Sequence, residues 1–117
     1  NSNEAQKVLP LIEKAKQKNR LIGAICDASR FLAANGYVNS VEHTSNDLEA
    51  IIKTPQNKYT SESCYRRKQS VRDGNFVTAN ATAFVEFARD VLLGLEAAHP
   101  EKINELGRLC KEGYCPD

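Results

Sequence analysis

The chain has 117 residues, 41% hydrophobic and 26% charged, the make-up of one globular domain and too short for two. Sixteen basic against fifteen acidic residues leave a net charge of +1, so charge gives no case for a nucleic acid or an anionic membrane as partner. The longest apolar runs, such as residues 21–25, are far too short to span a bilayer, and no basic-then-apolar signal segment opens the chain, so the expected location is the cytoplasm.

In chain order, Val8, Leu9, Ile12 and Ala15 fall at helical spacing within residues 3–18, with Pro10 demanding a kink or a late start. Residues 20–25, Arg-Leu-Ile-Gly-Ala-Ile, form an apolar run without alternation, the pattern of a strand buried on both faces. It stops at Cys26-Asp27-Ala28-Ser29. Helical spacing then resumes over residues 28–35, with Gly36 as C-terminal cap. Residues 41–44 read as a short strand and 45–63 as a loop or short helix. Asp73-Gly74 is a hairpin-turn dipeptide between residues 69–72 and 76–80. Residues 82–95 carry one broad apolar face, and Pro100 suits the first turn of a helix over about 100–111.

Helix, strand, helix is the order of an α/β layered fold. A strand apolar on both faces needs helices above and below it and paired neighbours at both edges. One such strand, a doubtful second and a hairpin are too little sheet for a doubly wound domain. The chain is therefore expected to be part of a domain, or to need a partner chain to complete the sheet. The opening Asn1 and the absence of methionine fit a fragment or a processed chain.

Four cysteines at this length do not demand a disulfide framework. Cys110 and Cys115, with no second Cys or His pair nearby, are not a zinc set; free thiols or an adventitious disulfide are expected there. Cys26 differs. A thiol lifted off a strand end onto a helix start meets the positive end of the helix dipole, which favours thiolate. The Asp27 backbone N–H is then placed to support an oxyanion. Against this, the Asp27 carboxylate beside the thiol disfavours its ionisation, and an inert buried cysteine at a strand end is the competing reading.

Three stretches carry a resemblance: Gly23-Ala24-Ile25-Cys26-Asp27-Ala28, Glu42-His43-Thr44-Ser45-Asn46, and residues 71–80, Val-Arg-Asp-Gly-Asn-Phe-Val-Thr-Ala-Asn, followed by residues 82–88, Thr-Ala-Phe-Val-Glu-Phe-Ala. In this order and separation they resemble the ThiJ/PfpI family, within the glutamine-amidotransferase-like superfamily. Its bacterial members include intracellular proteases and amidases. The likeness covers about residues 5–95. It implies a flavodoxin-like three-layer sandwich with a mostly parallel sheet, of which residues 1–117 would be the C-terminal portion. It implies a reactive nucleophile at Cys26 and a histidine at the end of the next strand, His43. A glutamate and a glycine-rich loop that many members place beside the cysteine would lie in the N-terminal half, which this chain lacks. A homodimer is implied as well.

The sequence departs from the family in two places. Some members with protease-like chemistry have His after the nucleophile, where this chain has Asp27. A loop that often reads Asn-Gly-Thr is here Asn80-Ala81-Thr82, expected to line the site; its alanine is less permissive than glycine.

His43, one of two histidines, is expected as the base that takes the Cys26 proton, with a structural histidine as the competing reading. His99-Pro100-Glu101 imitates the His-x-Glu pair of amidotransferase triads, but it follows a helix and reads as a helix start. The expected function is a cysteine-nucleophile amidase or hydrolase acting on a small-molecule or peptide amide, without cofactor or metal. The alternatives are a redox-sensing or stress-response protein, or a glyoxalase- or deglycase-type enzyme using the same thiol, or a family member without turnover.

Overall fold

The computed structural model describes residues 2–114. Its elements, in chain order, are α1 (Ser2–Gln6), α2 (Leu9–Gln17), β1 (Ile22–Ile25), α3 (Asp27–Ala34), α4 (Leu48–Ile52), β2 (Ser70–Asp73), β3 (Phe76–Ala79), α5 (Phe84–Gly94) and α6 (Pro100–Glu112), with one 3-10 turn at Glu62–Cys64. The amphipathic stretch before β1 splits in two: α1 ends before Lys7, and α2 starts with Pro10 in its first turn. There the missing proline N–H would have had no helical acceptor in any case.

The strands form one sheet in the order β1-β3-β2. β1 runs parallel to β3, with Ile22 opposite Phe76 and Ile25 opposite Ala79. β2 runs antiparallel to β3, with Asp73 opposite Phe76 and Ser70 opposite Ala79. The sheet is therefore mixed, which corrects the expectation of a flavodoxin-like sandwich with a mostly parallel sheet. The physical reason is the hairpin. Two strands joined by only Gly74 and Asn75 must be antiparallel, and only the crossover from β1 to β3 leaves room for a parallel pair. Gly74 has φ 56°, so the turn centres on Gly74-Asn75, one residue later than the sequence suggests.

β1 is also less enclosed than its apolar run implies. Ala24 alone is fully buried, Ile22 and Ile25 are half-buried, and Gly23 is exposed. Ile22 and Cys26 donate to the carbonyls of Asn75 and Ala79 at 2.7 and 3.0 Å. In a parallel ladder the intervening residues, Gly23 and Ile25, then turn their N–H and C=O groups the other way. Among the described residues nothing pairs with that edge.

Helices cover both faces. On one side, Ala24 and Phe76 pack with Leu32 and Ala33 of α3 and with Tyr37, Val38 and Ile51 beyond it. On the other, Gly23 lies under Phe87 and Val91 of α5, which also packs on β2 and β3. α3 closes on Gly36 at φ 82°, with Gly36 N–H donating to Ala33 O and Tyr37 N–H to Leu32 O, the paired bonds of a Schellman cap. Residues 41–44 make only one parallel bridge, His43 to Tyr65, instead of a strand. His99 is the N-cap residue of α6 and Pro100 its first residue, so the His-Pro-Glu sequence marks a helix start. Among the described residues, no helix is long and apolar enough to cross a membrane.

Candidate active site

β1 delivers the chain to Cys26, and α3 begins at the next residue. The turn is so sharp that Cys26 adopts φ 61°, ψ −130°, a conformation that side-chain-bearing residues rarely take. Several bonds hold it there. Its N–H donates to Ala79 O, at the end of β3, and its C=O accepts from Ser29 N–H at 3.1 Å and from Ser29 Oγ at 2.6 Å. The thiol itself is partly exposed and free.

Asp27 is the first residue of α3, so its backbone N–H has no acceptor within the helix and lies next to the sulfur in sequence. Its carboxylate does not turn to the thiol. Both oxygens accept from Arg30, Oδ1 from Nε at 2.6 Å and Oδ2 from Nη2 at 2.9 Å. That hydrogen-bonded pair, helped by the Arg30 charge, holds the Asp27 carboxyl below the usual aspartate range.

Residues 43–46 run across the open end of the sheet, and each is fixed by different partners. His43 N–H donates to Cys64 O, and His43 O accepts from Arg66 N–H. Thr44 N–H donates to Thr78 Oγ1 at 2.9 Å and Thr44 Oγ1 to Lys68 O at 3.0 Å. Ser45 Oγ is hydrogen-bonded to Ser29 Oγ at 2.8 Å, and Ser45 O accepts from the Tyr65 hydroxyl at 3.1 Å. Asn46 Nδ2 donates to Cys26 Sγ at 3.4 Å, and Asn46 Oδ1 accepts from Ala81 N–H at 2.7 Å.

The loop after β3 is ordered by Asn80, whose Oδ1 accepts from Thr82 N–H and Thr82 Oγ1 at 3.0 and 2.7 Å. Asn80 and Thr82 therefore bond to each other, while the backbone between them is tied to the elbow through Asn46. Three segments meet at the carboxyl ends of β1 and β3: the 26–29 turn, the 43–46 segment and the 79–82 loop.

His43 is fully buried, 0% exposed, and its ring nitrogens face away from this meeting point. Nδ1 lies 2.8 Å from Val41 O, and Nε2 lies 2.7 Å from the Tyr59 hydroxyl. A carbonyl only accepts, so Nδ1 carries the proton; in the neutral ring Nε2 then accepts from the Tyr59 hydroxyl, which also lies 3.2 Å from Ser61 O as a second acceptor for its single proton. The rings of Tyr59 and Tyr65 pack edge-on against the imidazole, with centroids 5.4 and 5.9 Å away. Burial lowers the His43 pKa, against a smaller raising effect of the Val41 carbonyl; the Arg66 charge lowers it further. Burial likewise pushes the Tyr59 hydroxyl up to about 12, so it keeps its proton to donate.

A groove of about 670 Å³ runs between α1, α3 and the turn after α4; Val8, Asp27, Phe31 and Pro55 line it, and Cys26 does not. Among the described residues no group of three or more His, Cys, Asp or Glu side chains is arranged to hold a metal. Cys110 is free and exposed, and Cys115 lies outside the described residues.

Reading by residue type overlooked Asn46, Ser29, Ser45 and Tyr59. A signal existed. Thr44-Ser45-Asn46 is a run of short hydrogen-bonding side chains inside the very stretch that carries the family resemblance.

The comparisons with known proteins agree on a family. The sequence model of the DJ-1/PfpI family matches residues 1–93. The chain is similar to two uncharacterized proteases of Bacillus subtilis. It is 38% identical to YdeA over 113 residues, 97% of this chain and 56% of the relative, and 38% identical to YoaZ over 106 residues, 91% and 50%. Among solved structures it is similar to a thiJ/pfpI family protein from Bacillus anthracis, with TM-score 0.81, 34% identity, and coverage of 91% of this chain and 50% of that one. A DJ-1 superfamily protein from Agrobacterium tumefaciens is comparable, with TM-score 0.78, 34% identity, and 90% and 55% coverage. The chain thus spans about half the length of the relatives it matches.

Proposed function

The chain belongs to the DJ-1/PfpI (ThiJ/PfpI) family, and on that footing we propose that it carries the nucleophile of a cysteine-dependent, amidase- or protease-like hydrolase, with Cys26 as that nucleophile. The observation that carries the reading is the Cys26 backbone at φ 61°, ψ −130°, between β1 and α3. A strained residue persists only where its surroundings over-determine it, and such residues gather at working sites.

In the proposed reaction the Cys26 thiolate attacks the carbonyl carbon of an amide, forming a C–S bond and placing the negative charge on oxygen. The Asp27 N–H and the start of α3 stabilise that oxyanion. Collapse breaks the C–N bond, and the amine leaves with a proton from a general acid. Water then cleaves the thioester and restores the thiol. Asn80 and Thr82 form the rim beside the sulfur.

His43 was expected as the base. With both ring nitrogens engaged by Val41 and Tyr59, we assign it instead to holding the 43–46 segment in place. The proton-transfer group is then proposed to lie in the part of the domain that this chain does not span. That part would pair with the open β1 edge, and the chain would be the C-terminal portion of the whole. The homodimer implied by the family resemblance belongs to the same proposal and is tested by sedimentation of the full-length protein.

The test is turnover by the full-length protein on a panel of peptidyl and small-molecule amides, with Cys26→Ser alongside. Loss of turnover in a folded Cys26→Ser protein supports the hydrolase. A wild-type protein with a reactive thiol but no turnover on amides or α-oxoaldehydes moves the reading to redox sensing through the same sulfur.

A further inference from the structure

We infer that Asn46 is a catalytic residue of this site: its carboxamide N–H donates to the Cys26 sulfur and favours its charged form, while its carbonyl end fastens the 79–82 loop to the elbow. The inference rests on Cys26 being the nucleophile.

The orientation of the amide follows from chemistry. Ala81 contributes a backbone N–H, which can only donate, and it lies 2.7 Å from Asn46 Oδ1. The oxygen of the carboxamide is therefore committed to Ala81, and the NH₂ end must face Sγ at 3.4 Å. An N–H directed at sulfur is worth more to a thiolate than to a thiol, because a hydrogen bond to a charged acceptor is the stronger one. The donor is also well aimed. The three residues before it are buried and hydrogen-bonded through His43, Thr44 and Ser45, so the segment reaches Asn46 with little freedom, although Asn46 itself is exposed. The buried His43–Tyr59 pair thereby acts on the sulfur through the segment that ends in Asn46.

Asparagine is required by this double duty. Alanine loses both bonds. Aspartate keeps an oxygen for Ala81 but turns a second, charged oxygen to the sulfur, reversing the electrostatic effect while leaving the loop tethered. The two variants separate a structural tether from an effect on the thiol.

The experiment measures the rate of Cys26 alkylation by iodoacetamide at neutral pH in the full-length protein. Each cysteine peptide is followed by mass spectrometry, with exposed Cys110 as internal reference. Wild-type Cys26 is expected to react several-fold faster than Cys110 at neutral pH. Asn46→Asp is expected to slow Cys26 alkylation at neutral pH by about tenfold, because a charged oxygen then faces the sulfur. Asn46→Ala is expected to lose about two- to fivefold, and it decides the matter should Asn46→Asp fail to fold by circular dichroism. If wild-type Cys26 is reactive and neither folded variant slows its alkylation, Asn46 has no such role and the nucleophile reading survives. If wild-type Cys26 reacts no faster than Cys110, the nucleophile reading falls and takes this inference with it.

Discussion

Glycine at position 26 is expected to make this protein more stable than alanine at position 26, the reverse of the usual order. Both substitutions remove the sulfur, so differences in chemistry and in sulfur burial cancel between them. Both keep the backbone N–H that donates to Ala79 O. What remains is the conformation, φ 61° and ψ −130°. A residue with a Cβ pays about 1–3 kcal/mol to be held in such a region, and glycine does not. Glycine gives back about 0.4–1 kcal/mol through the greater freedom of its unfolded chain. The difference leaves Cys26→Gly about 0.5–2 kcal/mol more stable than Cys26→Ala. At an unstrained position glycine would instead be less stable by roughly 0.5–1 kcal/mol. Urea unfolding of the two variants, compared at equal m-values, reads the difference directly. Equal midpoints, or a higher midpoint for alanine, would refute the claim that Cys26 is held under strain, and with it the structural basis for a nucleophile at this turn.

Three further outcomes are expected. Gly36→Ala should cost about 1 kcal/mol in urea unfolding: the residue sits at φ 82°, and an added Cβ would lie 3.1 Å from Asn39 Nδ2 and 3.3 Å from Lys58 Cβ. Tyr59→Phe should cost about 1–3 kcal/mol, because it takes the hydroxyl from both the buried His43 Nε2 and Ser61 O; a change within error would show that the hydroxyl contributes nothing. The depressed His43 pKa sets a pH dependence. The unfolded chain takes up a proton on this imidazole as pH falls below about 6.5, while the folded protein resists it until a lower pH. Stability from this group is therefore complete above about 6.5 and declines below it. His43→Gln should flatten the slope of urea midpoints below about pH 6.5, and an unchanged slope would assign it to other groups.

Local rules made much of the frame readable. An apolar run halted by Cys-Asp-Ala-Ser can only pass from strand to helix, and β1 followed at once by α3 is the result. Gly36 as the cap of α3 and Pro100 as the first residue of α6 follow from backbone geometry intrinsic to those residue types. Sheet composition was not readable in the same way. The apolar character of residues 21–25 reports what β1 is suited to face in a whole domain, whereas the strands present decide what it does face. Among the described residues β1 is an edge, and the hairpin makes the sheet mixed.

The site divides along the same line. The place of Cys26 at the strand-to-helix turn was legible because it depends on its immediate neighbours. The surroundings of His43 were not, because they come from Tyr59 and Tyr65, brought in by the segment after α4. A histidine in a sequence signals a group able to move protons, but its neighbours decide whether it does. Here a carbonyl at one nitrogen, a hydroxyl at the other and complete burial favour the neutral ring and give it no exit for a proton. Asn46 is the converse: an unremarkable residue type that matters through two long-range bonds, to Cys26 and to Ala81. If Cys26 and Asn46 act as proposed, the chemistry of the elbow depends on how rigidly residues 43–46 are held, since a donor 3.4 Å from a sulfur loses its effect if the segment bearing it drifts. Substitutions at Tyr59 or His43 should therefore reach the sulfur in proportion to how far they loosen Asn46, although neither side chain is hydrogen-bonded to it.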